Sequence, residues 1–373
     1  MQRGQSSNFG HVYQSIESCA GSSHAADNLT NFFVTGFQPF TTDKKVRMKK
    51  SRVYVTRMIP EESLSELRKH FDVDVNLEDR ALTKVELMGK AKGCDALITL
   101  ITDTVDGELL DAIGARCKVV ANYAVGFNNF DVAAATQRGV ILTNTPGVLD
   151  DATATHAFTL LLATARRIVE ADKYVRDGKW KGWAPMFFIG MDVDRRTLGI
   201  AGMGRIGSNV ARKAKSFDMK VVYTDAQRNM QMEKELGATY VDKETLLKES
   251  DFLTLHVPLM PETFHYIGEK ELQLMKKTAV LINASRGPVV DEKALLKALR
   301  EKQIWGAGLD VFENEPELVS GLTALDNVIV VPHIASATAE TRINMGKIAV
   351  NNIVKVLNGQ SPETCVNPEV LKK

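Results

Sequence analysis

The sequence predicts an α/β protein with two doubly wound parallel sheets. Three observations carry that expectation. Short β-branched runs alternate with helical stretches from residue 52 onward, the rhythm of βαβ units. Those runs are continuously apolar rather than alternating, as suits strands covered on both faces. One long amphipathic stretch, 151–175, splits them into two series.

In the first series the strand candidates are "RVYVTR", "VDVNL", "DALITL", "KVVANYAV" and "VILTNT". Helical stretches such as "EESLSELRKHF", "TKVELMGKAKG" and "GELLDAIGA" lie between them. The 151–175 stretch reads as a single long helix. It leads into "RDGKWKGWAPMFFIG", dense in aromatics. Trp180, Trp183, Phe187 and Phe188 fit either core contacts of an interdomain connector or a subunit interface. The second series runs "RTLGIAG", "MKVVYTD", "ATYV", "DFLTLHV", "AVLINAS", "GAGLDVF" and "VIVVPH". A final helix, "AETRINMGKIAVNNIVKVLNG", has no partner in that series and is expected to return to the first.

At 373 residues the chain is long enough for two domains. Apolar content of 44% and charged content of 25% are those of a soluble globular protein. A net charge of +1 gives no global field to recruit nucleic acid or an anionic membrane. Apolar stretches such as "AFTLLLATA" are too short to span a bilayer. Cys19, Cys94, Cys117 and Cys365 lie far apart without a CxxC pair. That argues against a disulfide framework and a thiolate metal site, and for a reducing, cytoplasmic setting. Cys94 and Cys117 border apolar runs and read as core residues. Residues 1–47 are rich in Ser, Gly, Asn and Gln and lack a secretory pattern. They are expected to be a disordered extension, tag or leader, with Met48 as the natural start.

The glycine loop is the most specific motif. "TLGIAGMGRIGSNVARKAKSF" holds GxGxxG at Gly202, Gly204 and Gly207 between a strand and a helix. A second strand ends in Asp225 about twenty residues on, the spacing of a dinucleotide fold. Gly202 permits the tight turn, Gly204 lets backbone N–H groups approach a pyrophosphate, and Gly207 lets helix and strand pack closely. A carboxylate at Asp225 would accept from ribose hydroxyls and repel a 2′-phosphate, favouring NAD over NADP. Arg228, three residues on, works against that, since a guanidinium could reach a phosphate.

Ligands of parallel sheets bind outside the carboxyl ends of the strands. The polar groups placed there are therefore informative. Arg286 follows "AVLINAS", Asp310 and Glu315 follow "GAGL", and His333 follows "VIVVP". In the first series, "KVVANYAVG" ends in Val125 and Gly126. All are expected on one interdomain crevice. Arg286 offers a planar fork for a carboxylate or a polarised carbonyl. His333 could give a proton to a carbonyl oxygen as hydride arrives. Glu315 would hold the imidazole and favour its charged form. Asp310 would fix either backbone or the nicotinamide amide.

With these residues in place, the chain resembles the D-isomer-specific 2-hydroxyacid dehydrogenases, from about Met48 to Asn367. The resemblance rests on "NYAVGFNNFD", "GMGRIG", "LHVPLMPET", "LINASRGPVVDE", "AGLDVFENEP" and "PHIASAT". It implies a catalytic set of Arg286, Glu315 and His333. It implies a Rossmann NAD-binding domain, 149–334, inserted in a flavodoxin-like substrate domain made of 48–148 and 335–373. It implies cofactor contacts at Thr153, Arg205, Ile206, Val257, Pro258, Thr263, Ala284, Ser285, Asp310 and Ala335, besides the glycine loop and Asp225. Substrate would meet Arg286, the N–H groups near Val125 and Gly126, and Ile101. Within the family the chain is most similar to glyoxylate/hydroxypyruvate reductases, which implies reduction of a small 2-oxo acid and a homodimer. Phosphite or other D-2-hydroxyacid dehydrogenases, and NAD-sensing co-regulators of the same family, are the alternatives. Two features depart from the pattern. Thr155 and His156 stand where an acid and an apolar residue are usual, so His156 is expected at the surface or an interface. Ala335 stands where glycine is common.

Overall fold

The computed structural model describes residues 50–372; the expectation for 1–47 lies outside them. The first five strand candidates form one parallel sheet. They are β1 (Arg52–Val55), β2 (Asp72–Val75), β3 (Ala96–Thr99), β4 (Val119–Asn122) and β5 (Ile141–Thr143). Their order is β2-β1-β3-β4-β5, a flavodoxin-like doubly wound order whose direction reverses between β1 and β3. The intervening helices are α1 (Glu61–His70), α2 (Lys84–Ala91), α3 (Gly107–Ile113) and α4 (Val132–Gln137). Strands β3 and β4 are buried at every residue, which is why they read as continuous apolar runs. Cys94 and Cys117 are both buried core residues.

The stretch expected as one helix is two: α5 (Asp150–Ala165) and α6 (Ile168–Arg176). Arg167 between them is left-handed, with φ of 54°. The cause is tertiary. Residues 190–191 cross the end of α5, and the Met191 N–H donates to the Ala165 carbonyl at 2.8 Å. A Cβ on Gly190 would collide with that same carbonyl.

The remaining seven strands form a second parallel sheet. They are β6 (Thr197–Ala201), β7 (Lys220–Thr224), β8 (Thr239–Tyr240), β9 (Phe252–Leu255), β10 (Val280–Asn283), β11 (Gly306–Leu309) and β12 (Val328–Val330). The order is β12-β11-β10-β9-β6-β7-β8, so the winding reverses between β6 and β9. Helices α7 (Arg205–Lys215), α8 (Met230–Leu236), α9 (Lys243–Glu249), α10 (Glu269–Leu274) and α11 (Glu292–Arg300) connect the strands. Helix α5 lies against β10, β11 and α7. The last long helix, α12 (Ala339–Leu357), returns to the first sheet and packs on α1 and β4. There Met345, Ala349, Val350 and Ile353 share a core with Val53, Leu64 and Ala121. Beyond it, Asn367 is buried and accepts the Leu142 N–H of β5 at 2.8 Å. Among the described residues, no helix is long and apolar enough to cross a membrane.

Candidate active site

A crevice of about 800 Å³ opens between the carboxyl edges of the two sheets. The first sheet contributes Ile101, after β3, and Val125 and Gly126, after β4. The second contributes Ala284, Ser285 and Arg286 after β10, Glu315 after β11, and His333 and Ala335 after β12. Thr153 of α5, Ile206 of α7, and Val257 and Pro258 after β9 complete the expected residues on its wall.

His333 and Glu315 are in direct contact, Nδ1 to Oε2 at 2.9 Å. The second Glu315 oxygen accepts the Phe312 N–H at 3.0 Å. Burial pulls the Glu315 carboxyl upward. The hydrogen bond and charge of His333, the Phe312 N–H and the Arg286 charge outweigh it, leaving its pKa below the ordinary value. Glu315 is therefore an anion at neutral pH. His333 itself has φ of 53°, and its N–H donates to the Asp310 carbonyl at 2.9 Å.

Arg286 is held at both ends. Its carbonyl accepts the Asn283 side-chain amide at 2.9 Å, and its Nη1 donates to the Ser285 carbonyl at 2.7 Å. Burial lowers its pKa, opposed by Glu315. The guanidinium lies against Gly126, where an added Cβ would overlap Nη2. The Val125 and Gly126 carbonyls are both taken by asparagine amides, Asn144 and Asn122, each at 2.8 Å. Their N–H groups donate to no acceptor among the described residues. Two N–H donors without an acceptor among the described residues thus lie beside a guanidinium on the crevice wall, a suitable seat for a carboxylate.

The glycine loop sits where the second sheet reverses its winding. Gly202 has φ of 94°, and a Cβ there would meet the His256 and Val257 backbone. On Gly207, a Cβ would strike the Gly202 carbonyl. Gly204 opens α7 with no side-chain cap and with free space around it. The first N–H groups of α7 around Arg205 are therefore available to a phosphate. Asp225 accepts the Met203 N–H at 2.7 Å, which ties the end of β7 to the loop. This open, uncapped helix start beside a carboxylate fits a dinucleotide. Arg228 is engaged elsewhere, in contact with Glu233 at 2.6 Å and over the Tyr240 ring.

Thr263 and Asp310, two of the expected contacts, stand behind the crevice rather than on its wall. Thr263 uses its hydroxyl within its own loop, donating to the Pro258 carbonyl and accepting the Met260 N–H at 2.8 Å. Asp310 is fully buried; its two oxygens accept the N–H groups of Ile334, at 2.7 Å, and Ala335, at 2.9 Å. Of its two expected roles, fixing backbone is the one seen. His156 is the correction. It is only partly exposed, and its Nε2 is buried, 3.2 Å from Asp310 Oδ1, rather than open at the surface. The phase of α5 turns it toward β11.

Sequence reasoning missed several residues of the wall. Arg57 follows β1, Arg342 lies in the first turn of α12, and His256 follows β9. His256 carried a signal, since it stands next to last in the strand candidate "DFLTLHV". Burial lowers its pKa to about 4, so it is a neutral imidazole, 2.9 Å from the Thr254 hydroxyl. The asparagines behind Val125 and Gly126 carried no signal, because their partners lie in loops.

A glycine loop at the winding reversal and a His–Glu pair beside a guanidinium are the features of a dinucleotide-dependent dehydrogenase. Residues 158–335 match the family model of the D-isomer specific 2-hydroxyacid dehydrogenase NAD binding domain. A glyoxylate reductase of Korarchaeum cryptofilum is 53% identical over 87% of this chain and 98% of its own length. One from Thermococcus litoralis is 51% identical over 86% and 98%. Among solved structures, a Thermus thermophilus protein superposes with a TM-score of 0.80 at 42% identity, covering 84% of this chain and 99% of that one. An NADPH-dependent glyoxylate/hydroxypyruvate reductase of Sinorhizobium meliloti, in complex with NADP and malonate, gives 0.75 at 31%, covering 86% and 98%. The chain belongs to the D-isomer-specific 2-hydroxyacid dehydrogenase family.

Proposed function

We propose that the protein reduces glyoxylate, hydroxypyruvate or a similar small 2-oxo acid to the D-2-hydroxy acid, with NADH preferred over NADPH. The observation that carries this reading is the seat formed by the Val125 and Gly126 N–H groups and Arg286, opposite the His333–Glu315 pair. Its chemistry is that of a 2-oxo acid, a carboxylate next to a carbonyl. The relatives named glyoxylate reductase support the same substrates.

The seven-stranded body, about 149–334, would hold the cofactor, through the glycine loop, the α7 start and Asp225. The five-stranded body, 48–148 with 335–373, would close over the substrate. The bound cofactor supplies a hydride to the carbonyl carbon. Arg286 and the two N–H groups fix the carboxylate and so aim the carbonyl. Protonated His333 gives its proton to the carbonyl oxygen, and Glu315, an anion, steadies the imidazolium beforehand. Ile101 walls the space for the substrate's remaining substituent. Asp225 supports NADH through its position beside the glycine loop, and the contact of Arg228 with Glu233, which draws it toward another partner, supports the same preference. A homodimer through the 168–189 region and a cytoplasmic setting belong to the same reading.

The test is NADH oxidation on adding glyoxylate, hydroxypyruvate or pyruvate, extended to a panel of 2-oxo acids. Turnover with at least one of the first two is expected. No turnover with any 2-oxo acid would sink the reading.

A further inference from the structure

We propose that Glu292 is a positioning residue for the acid–base pair, acting through the loop that carries Glu315. The inference rests on the function proposed above. Glu292 opens α11 and is only 5% exposed, yet it forms no ion pair among the described residues. Its Oε1 accepts the N–H of Glu313. Its Oε2 accepts the N–H of Val319 at 3.2 Å. These donors bracket residues 313–319, and Glu315 lies between them. Glu313 is tied back in turn. Its Oε2 accepts the Glu292 N–H at 3.4 Å, and its Oε1 lies 2.8 Å from His265 Nε2.

One buried carboxylate therefore closes both ends of a loop whose middle is pinned by the Asn314–Glu317 bridge. Burying a charge without a cation in contact costs stability unless hydrogen bonds compensate. A glutamine would fold with less desolvation, but it offers one acceptor oxygen for two N–H groups. What the second acceptor secures is the loop's width, and with it the reach of Glu315 to His333. Such pairs tolerate errors of only about 0.5 Å. The charged group facing Glu292 is Glu313, which in turn holds His265, with Asp291 on the far side of that ring at 3.9 Å. Those facing His333 are Glu315, in contact, and Arg286, near enough to act on Glu315.

The test is a cycle of Glu292→Gln, Glu315→Gln and the double variant. Glu292→Gln is expected to lower kcat for glyoxylate about tenfold, with KM and NADH affinity within about twofold of the parent. The pH limb set by His333 should move toward lower pH, the direction expected of Glu315→Gln. The double variant should be no slower than Glu315→Gln alone, because both act through one contact. An unchanged kcat, an unmoved limb, or a double variant whose loss is the product of the single losses would overturn the proposal. Each would leave Glu292 as a staple of the fold only. If the Gln variant does not fold, Glu292→Asp, which keeps the charge on a shorter stem, carries the same cycle with the same outcomes. NMR titration of the His333 ring in parent and variant reads the positioning without turnover. A moved midpoint in a protein that reduces no 2-oxo acid would uphold the positioning and reject only the activity.

Discussion

His333 holds a left-handed backbone conformation, which few non-glycine residues adopt without a compensating constraint. The constraint is visible: its N–H is held by the Asp310 carbonyl, and the next two N–H groups by the Asp310 side chain. The ring so aimed should matter to rate more than to binding. His333→Ala is expected to lose roughly 10²–10⁴ in kcat, with NADH affinity near the parent value. A variant that keeps near-parent kcat would make this histidine structural. The direction of pH dependence follows from its two states. Reduction needs the ring protonated and should fail as pH rises; oxidation needs it neutral and should fail as pH falls. Steady-state profiles in both directions check this. Gly126→Ala makes a second prediction. The added methyl would meet the end of a flexible side chain, Arg286, rather than backbone. The fold should survive and KM for the 2-oxo acid should rise severalfold, whereas an unchanged KM would place the carboxylate elsewhere. At Asp225 the expectation is a kcat/KM for NADH one to two orders of magnitude above that for NADPH, roughly 1.4–2.8 kcal/mol. Equal efficiency would reject it. Much of this site was legible in the sequence, because reactive side chains at strand ends must share an edge in a parallel sheet. His156 and Glu292 were not. What each does depends on which loop or strand another element presses against it, and neither sits at a strand end.

Helix α7 is amphipathic and starts on the glycine loop, so its distance from β6 sets the cofactor cleft. Gly207→Ala should push it outward, because the methyl would strike the Gly202 carbonyl. The expected outcome is weaker NADH binding by fluorescence titration and a stability loss of about 1–3 kcal/mol, the usual cost of overpacking. Unchanged affinity and melting temperature would show that the helix has slack. Ten of the twelve strands are short, mostly buried apolar runs between turn residues, whereas β2 and β8 bury no residue and were legible from the alternation of strands and helices. The break between α5 and α6 was not. Nothing in "LLATARRIVEADKYV" interrupts a helical pattern; a distant segment, residues 190–191, captures the last carbonyl of α5 instead.

The whole molecule leaves an apolar region uncovered. Helix α6 buries none of its residues, and beyond it Trp183 and Met186 are 83% and 78% exposed. Phe187 and Phe188 pack edge-on against Tyr174, so the region is shaped rather than loose. Apolar surface of this kind marks an interface, and light scattering at micromolar concentration should report a dimer. A monomer would reject that assembly. The path of the chain has a further consequence, for synthesis. The five-stranded sheet is begun first and finished last. Its core lacks Met345, Ala349, Val350 and Ile353 until α12 emerges, and β5 lacks its Asn367 cap for longer still. The seven-stranded sheet needs nothing beyond β12 to complete its strands. On the ribosome the nascent first body must therefore wait, with apolar surface exposed, while the second folds. A chain arrested just after β12 should resist protease across 197–330 and be cut readily before residue 148.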